Sequence, residues 1–131
     1  MRTISMACLL ICTGWPLAAL GDPSLECSVG LSSQVEIAGC VAEAEANVDR
    51  AVEVALKFAM RSAEELDQIT GRQVSISALS AGQAAWEAYR DAHCDYIGST
   101  FGGGSGTGIA IRSCRVELGR VRVSDLMAQA R

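Results

Sequence analysis

The sequence predicts an all-α domain, a three-helix antiparallel bundle-like arrangement stapled by two disulfides. Three observations predict it. Apolar residues recur at spacings of three and four along long segments that contain no proline after Pro23. No segment alternates apolar and polar residues with a period of two, and no internal repeat is present. Four cysteines, Cys27, Cys40, Cys94 and Cys114, follow an N-terminal leader, an even number in a chain bound for an oxidising compartment.

The leader comes first. An apolar block from Met6 to Trp15 follows Arg2 and precedes Pro16, Leu17, Ala18, Ala19, Leu20 and Gly21. This is the pattern of a secretory signal peptide, with Ala19 and Gly21 as the small residues before a cut after Gly21. Residues 1–21 are therefore read as leader and 22–131 as one domain. The block is too short for a membrane-spanning helix, which needs about 20 apolar residues. Neither Cys8 nor Cys12 follows a lipoprotein box, so no lipid anchor is expected. The protein should be exported, to a periplasm or to the medium.

The 131 residues are half apolar and one-fifth charged, which fits a single folded domain. Without Arg2, 10 basic residues face 15 acidic ones, a net charge of −5. Nucleic acid is a poor partner for such a chain, because it requires a basic face. A basic protein partner is compatible with it.

The first helix begins at a capping box, Ser33 with Glu36, and runs to about Leu66. Val41, Ala44, Val48, Val52, Ala55 and Ala59 form its inner stripe, and Glu43, Glu45, Asp49, Arg50, Glu53 and Lys57 read as a solvated face. The pattern lapses from Asp67 to Val74, where Thr70-Gly71-Arg72 marks a break. The second helix runs from Ser75 or Ser77 to Ile97, with Leu79, Trp86, Tyr89, His93 and Ile97 as its stripe, and ends at Gly98. From Ser99 to Gly108, ten residues hold five glycines and no charge, which is a loop. The third helix is expected over Thr107 to Ala128, with Ile111, Cys114, Leu118 and Leu126 along one side and Arg122 interrupting it.

The four cysteines lack the close pairing of zinc ligands, and His93 is the sole histidine, so disulfides are expected rather than a metal. Three connectivities are possible, of which the sequential one, Cys27 with Cys40 and Cys94 with Cys114, is favoured. Each bond would close a short loop and stabilise by roughly 3 kcal/mol.

Gln83, Trp86, Arg90 and Cys94 fall on one helix face. A Cys94–Cys114 bond sets the row Cys114, Leu118, Arg122 opposite the row Cys94, Arg90, Trp86. Arg122 should then lie near Trp86 and Glu87, as an interhelical ion pair or a cation–π contact. The competing assignment for Trp86, Tyr89 and Arg90 is a recognition patch, since these residue types dominate interface hot spots. Catalysis fares worse. His93 sits between Ala92 and Cys94, and adjacent helix positions do not face one another. Gly102-x-Gly104 has no preceding strand and no following lysine, so no nucleotide is implied, and no cofactor is expected.

Several of these residues together resemble a known family. Cys40 with Asp49, the run Gln83-x-x-Trp86-x-x-Tyr89-Arg90-Asp91-x-x-Cys94, then Gly104-Ser105 and Cys114-x3-Leu118-x3-Arg122-x3-Leu126 are similar to the exported lysozyme-inhibitor LprI-like proteins. The resemblance spans nearly the whole mature chain. It implies a non-enzymatic protein that binds lysozyme-type muramidases outside the cytoplasm. Such enzymes are commonly basic and hold two carboxyl groups in their cleft. A blocking element should then be slim and uncharged, because a carboxylate would be repelled there. The loop has that character, with Gly103 and Gly104 for shape and Ser105 and Thr107 for hydroxyls. The expected partner-binding residues are Gly103, Gly104, Ser105, Thr107, Trp86, Tyr89 and Arg90. The four cysteines, Asp91 and Arg122 are assigned to holding the fold. A monomer is expected. The alternative is a cell-envelope interaction module without inhibitory activity.

Overall fold

The computed structural model describes residues 21–130. The leader up to residue 20, and with it the signal-peptide reading, lies outside the described residues, as does Arg131. Four helices are present: α1 (Pro23–Ser28), α2 (Gln34–Thr70), α3 (Ser75–Ser99) and α4 (Gly106–Gln129). Among the described residues there is no strand.

α1 was not anticipated by periodicity, because six residues are too few to show one. Its signals are local instead. The Asp22 carboxylate accepts a hydrogen bond from Ser24 N at 2.8 Å, and Pro23 occupies the first turn, where its missing N–H costs nothing. α2 starts at the expected capping box: Ser33 Oγ accepts from Glu36 N at 3.2 Å, and Glu36 Oε2 accepts from Ser33 N at 3.2 Å. It continues through the expected lapse to Thr70, 37 residues or roughly 55 Å, and stops where Gly71 adopts φ 67°. The lapse has a physical cause. Asp67 breaks the apolar pattern because its buried carboxylate caps the next helix, accepting from Ser75 N at 2.9 Å and Ile76 N at 3.1 Å.

Short connections make each successive long pair antiparallel, so α2 and α4 run parallel and share the largest interface. Val41, Val48, Val52, Ala55 and Ala59 turn inward as their spacing predicts, Val41 packing with Cys27 and Ile109, and Val52, Ala55 and Ala59 with Leu126 of α4. Leu79 and Trp86 of α3 close the same cluster. Two glycines let backbones approach. A Cβ on Gly119 would sit 3.0 Å from Val48 Cγ1, and one on Gly98 would collide with Ile111 Cγ1. The sequential disulfides are present, Cys27–Cys40 tying α1 to α2 and Cys94–Cys114 tying α3 to α4.

One residue of the expected solvated face belongs elsewhere. Glu45 is buried, and its carboxylate pairs with Arg112 and, at 3.3 Å, with Arg115 of α4. A buried carboxylate persists only with such partners, and these lie 67 and 70 positions away, beyond any local pattern. Tyr89 departs from the expected inner stripe. It is 55% exposed and stacks on His93, with ring centroids 5.3 Å apart. No helix among the described residues is long and apolar enough to cross a membrane.

Candidate functional site

The row Gln83, Trp86, Arg90 and Cys94 faces the bundle interior. Arg90 donates to Asp49 of α2 at 3.2 Å and to Asp91 at 3.1 Å, and its guanidinium lies 5.2 Å from the Trp86 ring centre. Arg122 of α4 flanks the same ring at 5.7 Å, as the antiparallel register requires, and donates to Gln83 Oε1 at 3.0 Å. Gln83 in turn donates to Glu87 at 2.9 Å. Asp91 is shared between Arg90 and, at 3.6 Å, Arg115. Trp86, Arg90, Asp91 and Arg122 thus form one network joining all three long helices. Tyr89, on another face of α3, is separated from it.

The glycine loop is shorter than the composition suggests, because α4 begins at Gly106. Residues 100–105 make a compact reversal in which Phe101 N donates to Gly98 O at 3.1 Å and Gly104 N to Phe101 O at 3.4 Å. Gly102 and Gly103 carry φ 64° and 79°, the left-handed region that glycine enters without strain. Both, with Gly104 and Ser105, are exposed. Ser105 precedes α4 and makes no capping hydrogen bond through its hydroxyl. Thr107 differs from the expected free hydroxyl. It lies in the first turn of α4, and its Oγ1 is buried with no hydrogen-bond partner among the described residues. The helix start carries it inward, toward Gly98.

Two features of this end escaped the sequence reading. Phe101, 53% exposed, projects from the loop, and Leu25 of α1 is exposed beside it. Phe101 separates two depressions. A groove of about 340 Å³ runs between Leu25, Ile37 and Ile109, and a cleft of about 220 Å³ lies toward His93 and Glu117. Phe101 is the only large apolar residue in the glycine run, a signal that could have found it. Glu117 is perturbed. Burial first, then the Asp22 carboxylate, raise its carboxyl above the usual range, with Arg120 opposing. Arg120 is held by Glu26, whose two oxygens it meets at 2.8 and 2.7 Å.

The family described as lysozyme inhibitor LprI matches residues 26–126, from α1 to the last buried leucine of α4. The chain belongs to the LprI family. Its LprI region includes all four disulfide cysteines, the network around Trp86 and the loop. An uncharacterised protein of Rhizobium meliloti (strain 1021) is 27% identical over 127 residues, covering 93% of this chain and 89% of its own. No solved structure matches.

Proposed function

We propose that the mature chain is an exported lysozyme inhibitor, drawn to a basic muramidase by its acidic surface and presenting residues 100–105 to the cleft. The observation that carries this is the loop itself: uncharged, turned by Gly102 and Gly103, and anchored at its base by Cys94–Cys114 within an LprI-family domain. Anchoring lowers the entropy that a glycine-rich segment gives up on binding. Gly103, Gly104 and Ser105 form the tip of the insert, Phe101 adds apolar area beside it, and Thr107 holds the loop's exit into α4. Trp86 and Arg90 act through the bundle, and Tyr89 offers an exposed ring on α3, stacked on His93. The leader pattern and the two disulfides support export, since such bonds persist in oxidising compartments.

The test is cell-wall lysis by c-type, g-type and invertebrate-type lysozymes with and without the oxidised protein. Dose-dependent inhibition that Ser105→Asp removes at unchanged folding is expected. A folded protein that slows none of the three overturns the inhibitor and leaves the envelope interaction module.

A further inference from the structure

The cleft on the α3 side of Phe101 carries more acid than the fold uses. Glu117 and Asp22 line it, and Glu26 lies close enough to raise Glu117 further. Arg120, the nearest side-chain cation, is committed to both oxygens of Glu26. Asp22 is occupied by Ser24, whose N and Oγ donate to the same oxygen at 2.8 and 2.7 Å. Glu117, which accepts no hydrogen bond among the described residues, and the second oxygen of Asp22 are left to meet a ligand.

A second observation is independent of charge. Ser113 also lines the cleft, is 6% exposed, and its Oγ has no hydrogen-bond partner among the described residues. Most buried hydroxyls are paired, so this unpaired one in the lining of the cleft is open to a donor. Phe101 and Ile97 supply an apolar wall. The volume, about 220 Å³, is below that of ordinary small-molecule pockets and suits a single side chain.

We propose that this cleft receives one guanidinium or ammonium side chain of a basic protein partner, its head pairing with Glu117 and donating to Ser113 Oγ, its methylene stem along Phe101 and Ile97. The inference rests on the lysozyme-binding reading and adds a second point of attachment beside the loop. It places recognition of the partner's charge in a formed cleft rather than in the diffuse acidity of α2.

Methylguanidinium is the probe, titrated into the oxidised protein while the ring resonances of His93, which lines the cleft, are followed by NMR. A saturable shift is expected, weakened about tenfold by Glu117→Gln, with lysozyme inhibition weakened about tenfold by the same substitution. Ser113→Ala, which removes no internal hydrogen bond, should weaken both while the protein melts no lower. Absence of a saturable shift, or a shift indifferent to Glu117→Gln, overturns the cleft, and inhibition that persists would leave the lysozyme reading intact. Methylguanidinium binding that needs Glu117 in a protein that inhibits no lysozyme overturns the protein side chain as occupant and leaves a site for free small cations.

Discussion

Arg90 and Asp49, 41 positions apart, meet at 3.2 Å and fasten α3 to α2 at mid-height. The Arg90 side chain is only 19% exposed and is also held by Asp91 and the Trp86 ring, whereas Asp49 is half open to water. Solvent screening therefore limits the ion pair, and much of the value of Arg90 lies in its packed stem and planar stacking. Arg90→Ala should cost about 1–2 kcal/mol in urea unfolding. Arg90→Lys should recover only part of it, since an ammonium lacks the fork. Inhibition measured on folded Arg90→Ala should be unchanged, and its loss would move the contact surface onto α3.

Removing the α3–α4 bond by Cys94→Ala with Cys114→Ala should cost about 3 kcal/mol, in line with its separation of 20 residues. Inhibition should suffer more than stability alone explains, because the loop loses its anchor. Comparing the double variant with the unaltered protein by thermal unfolding and lysis assay checks both.

Two carboxyls give pH dependences of opposite sign. For Asp67, burial opposes the charge, but the amides of Ser75, Ile76 and Val74 win and hold the carboxyl below its usual value. Its contribution is thus present above about pH 4 and lost as the pH falls further. Glu117 is raised, so its ionisation burdens the fold as the pH climbs past about 4.5. Urea unfolding from pH 3 to 8 should show Asp67→Asn with a weaker loss of stability in acid. Glu117→Gln should gain stability at pH 7 and little at pH 4.

Gly98→Ala should destabilise by about 1–3 kcal/mol, because the added methyl meets the Ile111 side chain where α3 and α4 are closest. Gly102→Ala and Gly103→Ala meet no neighbour, so their cost is the backbone's alone, about 1 kcal/mol each. Unfolding midpoints that rank Gly98→Ala below both would bear this out.

The helices were legible where their cause is local. The capping box at Ser33, the inner stripe of α2 and the neighbour-to-neighbour cysteine pairing follow from residues within a few turns of one another. The place of Arg122 beside Trp86 followed once the Cys94–Cys114 bond fixed a register. Glu45 could not be read this way, since its burial is set by arginines two helices later. Asp67 looked like the end of a helix because its chemistry serves the next one. At the site, the glycines announced the loop, but its true length depended on where α4 could start. The cleft with Ser113 and Glu117 needs three separate helices to exist.

The Cys94–Cys114 bond encloses the whole loop within a covalent ring. A protease of the extracellular medium that cut at exposed Gly103 or Gly104 would therefore open the reversal without releasing either side. The nicked protein would travel as one band without reductant. With reductant it would fall into a piece bearing α1 to α3 and a short one bearing α4.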